Sequence, residues 1–458
     1  MRFEEAIKEI TEKFRMVSEG KTIRIISHLD TDGITAASII SKALRREDKK
    51  FSVRILKQLD TEILKKIMQE TFEKKEILFF LDLGTSSLDV INNCTNAVFI
   101  LDHHQFEKIP ELNENIFYLN SRSFNEELSA AGLAFFFAKR MNEKNNDAEL
   151  AILGIVGDMQ DREISKMNNA IIKEANQKIK VKKGLKIFSA SRPVHKALEF
   201  GSDIFIPGVT GNSAGALNML REIGINVKTE EGYRTLIDLD ENEISRLVTA
   251  IILRRIEMFD VDKEADAILG NIYLIKLFNH FEDAREISTL INACGRLGHS
   301  DVALGFCLGS SKDKTRAEQI YIEYKHSLIK ALTWVSSAKK IESENCVIID
   351  AKKNIKDTLI GTIISIMASS FLYPNGTVIA GMAERDDGKI KVSMRISGRK
   401  GGINLRDLLV NISKVIDIED FGGHEAAAGC LLPSCKEEAF AELLKHETEI
   451  EKISIKPS

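Results

Sequence analysis

Several features are missing from this chain, and each absence excludes something. No apolar run approaches the roughly 18 residues that a membrane span needs, and the first residues, Met1-Arg-Phe-Glu-Glu5, lack the apolar core of a signal peptide. The expectation is a cytoplasmic protein with no membrane partner. The six cysteines, Cys94, Cys294, Cys307, Cys346, Cys430 and Cys435, form neither C-x-x-C pairs nor a disulfide ladder. That argues against zinc and for a reduced compartment. There is no excess of positive charge either, the formal net charge being −4. A nucleic-acid binder is often basic overall, so such contacts here would have to rest on local clusters. Internal repeats and low-complexity segments are absent.

What remains is a soluble composition, 44% hydrophobic and 29% charged, over 458 residues, enough for two or three domains. Ser27-His28-Leu29-Asp30-Thr31-Asp32-Gly33 stands between an apolar run, Ile23 to Ile26, that reads as a buried strand and a helical stretch, Ile34 to Ala43. Asp30 and Asp32 thus lie at a strand's carboxyl end, where open α/β sheets bind ligands. Two carboxylates one residue apart, with a glycine to turn the chain, suit a divalent cation, although an aspartate before a helix is also a common N-cap. An amphipathic helix leads in through Phe3, Ile7, Ile10 and Phe14. Segments at Phe51 to Leu56, Thr61 to Thr71, Ile77 to Leu81, Leu88 to Asn92 and Ala97 to Leu101 then follow a βαβ rhythm. Asp82 ends one strand, and Asp102-His103-His104 ends the next. Helices over Ala130 to Met141 and Ala148 to Asp158 bring in Asp158. A lone aspartate after a strand is usually a turn former. Several of them on one sheet edge beside a His-His pair would repel each other unless a cation neutralised them.

From about 160 to 345 the pattern becomes helical, with helices expected at Asn168 to Ile179, Ala216 to Ile223, Glu241 to Glu257, Ala284 to Leu297 and Thr315 to Lys340. A glycine-rich piece runs from Pro207 to Gly215. The basic run Lys178 to Lys186 is either a solvated face or a contact for backbone phosphates. An α/β pattern returns at strand Cys346 to Ile349, helix Thr358 to Phe371, strands Val378 to Met382 and Lys389 to Ile396, and helix Leu405 to Ser413. Phe421 to Gly429 reads as a loop, before a closing helix from Glu437 to Lys445. Its Gly422-Gly423-His424 calls for a backbone that approaches something closely, with an imidazole beside it.

With these motifs in view, the chain resembles the DHH phosphoesterases, named for the triplet seen here as Asp102-His103-His104. Asp30 to Gly33 resembles the family's first motif, Asp82 its second and Asp158 its fourth. Gly422-Gly423-His424 with the alanines after it resembles the marker of the accessory DHHA1 domain. Asn292-Ala293-Cys294-Gly295-Arg296 is similar to a helix of the RecJ single-strand exonuclease branch that links the two domains and touches nucleic acid. Lys391-Val392-Ser393-Met394-Arg395 with Gly402-Ile403-Asn404-Leu405 is similar to that branch's phosphate-holding strand and helix. The chain stops at Ser458, soon after Gly429, where bacterial RecJ continues into an oligonucleotide-binding barrel. In this it looks more like the archaeal RecJ-like proteins, including the GINS-associated nuclease.

The resemblance implies an α/β fold. A parallel-sheet DHH domain with flanking helices would span 1–190, a mostly helical insertion and linker 191–342, and a smaller α/β DHHA1 domain 343–458. It implies a metal-dependent single-strand exonuclease, 5′ to 3′, acting on DNA or RNA in replication or repair and using two Mn²⁺ or Mg²⁺ ions. Asp82 would bridge the ions, Asp30 would serve one, and Asp32, His103 and Asp158 the other. His104 would meet the scissile phosphate, and Asp102 would orient the histidines. His28, whose counterpart in the family pattern is not secure, is counted with the metal residues as ligand or near-ligand. Ser393, Arg395, Gly422, Gly423 and His424 would hold the terminal phosphate, and Asn292 and Arg296 would line the strand, in a cleft admitting single strands only. The alternatives are a replicative-helicase scaffold with little nuclease activity, partnered by GINS-like proteins, and a small-molecule phosphoesterase.

Overall fold

The computed structural model describes residues 2–106, 108–185, 190–201, 206–230, 232–256, 269–369, 372–398 and 403–455, with only the backbone described for Arg255, Ile256, Asp420, His424 and 451–455. Two compact units emerge, Met1–Tyr321 and Ile322–Ser458. In the first, β1 (Ile23–His28), β2 (Phe51–Leu56), β3 (Ile77–Leu81), β4 (Val98–Asp102) and β5 (Ile116–Asn120) form a parallel sheet in the order β2-β1-β3-β4-β5. β3 and β4 are buried along their whole length. That is why Ile77 to Leu81 and Val98 to Leu101 are unbroken apolar runs and do not alternate.

Helices cover both faces. On one, Leu64 and Ile67 of α3 (Thr61–Lys74) and Leu88 and Ile91 of α4 (Leu88–Ile91) pack with Ile26, Phe80 and Ile100. On the other, Phe14 of α1 (Phe3–Val17) and Phe137 of α5 (Ala130–Met141) meet Phe79 and Phe99, with Phe14 edge-on to Phe99 at 5.2 Å. α2 (Thr31–Arg46) packs against α5 and α6 (Ala148–Gly157) and is buried at almost every position of its first three turns. Rings buried this fully stabilise by roughly 2–3 kcal/mol each.

β5 has no counterpart in the sequence reading. It lies at the edge of the sheet, with Phe117 and Tyr118 only partly buried. The helix expected through Ile179 stops at Ala175, ending α7 (Lys166–Ala175). Asn176 turns at φ +47°, and Ile179 opens strand β6 (Ile179–Leu185), which carries most of the basic run. The middle is mostly helical, and it also carries strands that the sequence did not announce. β6 pairs antiparallel with β9 (Leu269–Leu277), which pairs with β10 (His280–Asp283), and β7 (Lys228–Thr229) pairs with β8 (Gly232–Tyr233). β6 and β9 are distant in sequence, and their pairing does not show in local periodicity. The helices α8 (Val194–Phe200), α9 (Ser213–Glu222) and α10 (Glu241–Ile256) share a core around Leu198, Met219, Leu247 and Ile272.

The helix Ala284–Arg296 follows, then Ser300–Cys307 and Ser311–Ser337. The second unit holds a six-stranded sheet in the order β11-β12-β13-β14-β16-β15, made of β11 (Ile341–Glu342), β12 (Cys346–Lys352), β13 (Val378–Glu384), β14 (Lys389–Ile396), β15 (Glu419–His424) and β16 (Ala427–Pro433). Helices Asp357–Ser369, Leu405–Ser413 and Glu437–Ile455 accompany it. The loop expected over Phe421 to Gly429 is a tight antiparallel hairpin, with Gly422 paired to Gly429 and His424 to Ala427. Lys186, Glu257, Phe371 and Gly402 lie outside the described residues. Among the described residues no helix is long and apolar enough to cross a membrane.

Candidate metal centre

Because the strands of the first sheet run parallel, their carboxyl ends share one edge, and there His28, Asp82 and Asp102 stand at the ends of β1, β3 and β4. Asp30 caps α2, its Oδ1 accepting from the Gly33 amide at 3.0 Å. Its Oδ2 lies 2.9 Å from His28 Nδ1, so the cap engages one oxygen and the other faces the histidine. Gly33 does not turn the chain as expected; it lies inside α2. A Cβ there would come within 2.5 Å of the His28 carbonyl oxygen, so only glycine lets the helix start this close to the strand. Asp82 adopts φ +59°, a left-handed conformation that costs a non-glycine residue about 1–2 kcal/mol. Such strain persists where the surroundings enforce it and clusters at functional sites.

Asp82 is the meeting point. One of its oxygens lies 3.2 Å from His103 Nε2 and 3.9 Å from His104 Nδ1, and the other lies 3.6 Å from His28 Nδ1. Two groups of donors close enough to share a cation result, Asp82-His103-His104 and His28-Asp30-Asp82, with Asp82 common to both. His28 therefore stands in the donor set. Asp32 is held in place by the backbone. Its two oxygens accept from the Ala130 and Ala131 amides at 2.7 and 2.9 Å, at the positive end of α5, and it lies 3.6 Å from His103. Asp158, the cap at the end of α6, lies 3.5 Å from His103 Nδ1. Asp102 accepts from the Thr85 amide at 3.0 Å, the His103 amide at 2.8 Å and His104 Nδ1 at 2.7 Å, latching the His-His turn.

The electrostatics follow. Every ion pair that these carboxylates make among the described residues is with a histidine. Burial opposes charge on His103, but Asp82, Asp158 and Asp32 outweigh it and push the imidazole up to about 10. For His104 burial is likewise outweighed, by Asp102 and Asp82, and it rises to about 9. Burial and then the Asp82 charge hold the Asp32 carboxyl well above its ordinary range. Burial and Asp82 raise Asp158 as well, against the pull of His103. For Asp30 burial is overcome by His28, and its pKa falls. Crowded carboxylates without lysine or arginine partners, alternating with imidazoles, form a donor set that fits hard divalent cations.

Several supporting residues gave no sequence signal. Asn120, at the end of the unanticipated β5, donates to the His104 carbonyl at 3.0 Å, and Arg122 Nε donates to the His103 carbonyl at 2.7 Å. Gln160 donates to Asp158 Oδ2 at 2.9 Å and accepts from Asn168 at 3.0 Å. Asn292, expected along the nucleic acid, accepts the Thr31 amide at 2.9 Å through Oδ1; Arg296 is half-buried on the same helix.

In the second unit Ser393 is buried on β14 between Gly381 and Gly429, and Arg395 is half-buried, its Nε donating to Ser365 Oγ at 3.1 Å. Gly423 sits at φ +139°, with no room for a Cβ against Ala427 and Ala428, while Gly422 is open. His424 is placed by its backbone, on the hairpin opposite Ala427, where Arg395 also pairs.

Three family models match: the DHH family N-terminal domain over 22–157, the DHH-CID domain over 188–268 and the DHHA1 domain over 345–451. An uncharacterized protein, MJ0831, of Methanocaldococcus jannaschii is 29% identical over 450 residues, 95% of each chain. Among solved structures, RecJ of Thermus thermophilus in complex with Mn²⁺ aligns with a TM-score of 0.61 at 16% identity, covering 97% of this chain and 55% of that one. The chain thus spans about half of that RecJ. CDC45 of Entamoeba histolytica aligns at 0.63 and 13% identity, over 97% of this chain and 99% of that one.

Proposed function

Since this chain is a DHH/DHHA1 protein of RecJ-like architecture, we propose that it is a two-metal phosphodiesterase: a single-strand-specific exonuclease acting 5′ to 3′ on DNA, and on RNA, in cytoplasmic replication or repair. The observation that carries the reading is Asp82, shared by two donor triads on one sheet edge. We assign 1–190 to the catalytic domain, 191–342 to the insertion and linker, and 343–458 to the DHHA1 domain.

In this reading Asp82 would serve both ions, Asp30 and His28 would hold one, and His103, Asp158 and Asp32 the other. Mn²⁺ or Mg²⁺, when bound, would supply Lewis acidity toward the phosphate and lower the pKa of water. His104, held through Nδ1 by Asp102, presents Nε2 to a phosphate oxygen. Asn120 and Arg122 keep the two histidines at their posts through backbone carbonyls. Arg395, a planar fork suited to phosphate, would take the terminal phosphate with His424, and Ser393, Gly422 and Gly423 would shape that pocket. Arg296 belongs to the helix we place along the strand.

The likeness to CDC45 over nearly its whole length supports a second reading, a scaffold at a replicative helicase with GINS-like partners. A scaffold with no need of cations would gain stability by losing unneutralised carboxylates, yet Asp30, Asp32, Asp82, Asp102 and Asp158 are all present. The test is digestion of end-labelled single strands with Mn²⁺, with and without EDTA, by the unaltered chain and by Asp102→Ala. Cleavage that needs the cation and is lost in the variant supports the nuclease. Cleavage that survives in Asp102→Ala, or none by the unaltered protein, rejects it.

A further inference from the structure

The Asp30 loop is gripped from outside its own sheet by the helix Ala284–Arg296. Thr31 donates its amide to Asn292 Oδ1 at 2.9 Å and its hydroxyl to the Ser288 carbonyl at 2.8 Å, while Ser288 Oγ lies 3.1 Å from Thr31 Oγ1. One turn beyond Asn292, a Cβ on Gly295 would lie 2.1 Å from the Leu29 carbonyl oxygen, so the helix backbone sits directly against the loop. Thr31 is the first residue of α2, where the amide has no partner within the helix. Asn292 supplies that partner from 261 positions away in sequence. The same helix is anchored at its start. Arg192 donates to Glu286 at 2.6 Å, and Asp283 accepts from the Ala190 amide at 3.1 Å.

We infer that Asn292 is a positioning residue of the metal centre: it fixes the Thr31 amide and thereby the carboxylate of Asp30, and does not act as a nucleic-acid contact. The amide oxygen is spent on Thr31, so of its polar atoms only Nδ2 could face a strand. Losing that oxygen frees the loop to turn Asp30 away from His28 and Asp82, which lowers the affinity of the site for its cation without touching the strand. The inference rests on the metal-centre reading for its consequence, and on the hydrogen bond alone for its mechanism.

Asn292 is half-buried on a helix, where alanine is a favourable helix former, so Asn292→Ala keeps the fold. Asn292→Asp retains an oxygen that accepts from Thr31. The full chain and both variants are compared by calorimetric titration of Mn²⁺ into metal-free protein, by anisotropy of a fluorescent single strand in EDTA, and by hydrogen exchange of the peptide holding Thr31. Loss of one hydrogen bond at the loop is expected to weaken Mn²⁺ binding about tenfold in Asn292→Ala. Exchange at residues 29–33 should speed up, strand affinity should stay within about twofold, and Asn292→Asp should behave as the unaltered protein. Unchanged exchange and Mn²⁺ binding, or weaker strand binding with the Mn²⁺ isotherm intact, overturns the inference. If the unaltered chain takes up no Mn²⁺, the metal-centre reading fails, whereas the exchange comparison still decides whether Asn292 holds the loop.

Discussion

In the parallel sheet of the first unit, His28, Asp82 and Asp102 come from three strands and meet because every strand points its carboxyl end the same way. In the mixed sheet of the second unit, Ser393, Arg395 and the Gly422-Gly423-His424 hairpin lie on strands paired antiparallel, so their positions follow from register: Ser393 opposite Gly429, Arg395 opposite Ala427, His424 opposite Ala427. A parallel edge concentrates charge at a point, which is what cation binding needs. An antiparallel face spreads residues along a surface, which suits holding an extended ligand. The first arrangement carries the strain of Asp82 and a crowd of carboxylates; the second carries a half-buried arginine and two adjacent glycines.

The sharpest way to break this comparison is Asp82→Asn, which removes a charge from both triads at once. Cleavage in Mn²⁺ should fall by about a thousandfold or more, with a matching loss of Mn²⁺ uptake. A drop below tenfold would mean that the edge does not gather a shared pair of ions.

Next is Asp147→Asn, in the same unit but away from the centre, where a nearly buried carboxylate meets Lys42 at 2.6 Å and Arg46 at 2.6 Å. Burial would raise the Asp147 carboxyl, but Arg46 and Lys42 outweigh it and hold it below the ordinary range. A depressed folded pKa contributes stability that is full above the unfolded value and lost as pH falls through the folded one. Chemical denaturation should therefore show a loss of about 2–3 kcal/mol at pH 7, narrowing below about pH 4, since both cations are partly exposed. Mn²⁺ uptake should be unchanged, separating the scaffold of the first unit from its chemistry.

The smallest effect sharpens the role of the second unit. Arg395→Ala should raise KM for a 5′-phosphorylated strand about tenfold, with kcat nearly constant and little change for a 5′-hydroxyl end. An equal loss on both ends would show that Arg395 does not read the terminal phosphate.

The strands β2, β3 and β14 and the helices Ala130–Met141 and Leu405–Ser413 were legible to the residue, because buried runs and amphipathic spacing are local signals. β5 and the β6–β9 pair were not, since their stability comes from partners far along the chain. The hairpin at Gly422 and Gly423 was read as a loop because glycine marks irregular backbone in sequence, while here close pairing with Ala427 to Gly429 requires it. Of the centre, the donor types were visible, His28 among them, but not the support from Asn120, Arg122 and Gln160.

By itself the sequence offered the candidate cation-binding residues and placed them at the ends of elements, because residue type and periodicity are written locally. Only the tertiary structure decided that Asp82 stands between two sets of imidazoles, that Asp32 is occupied by the first amides of α5, and that Asn292 serves the Asp30 loop. Those assignments depend on distances between segments up to 261 positions apart, which are set by how helices and strands pack and not by any spacing along the chain.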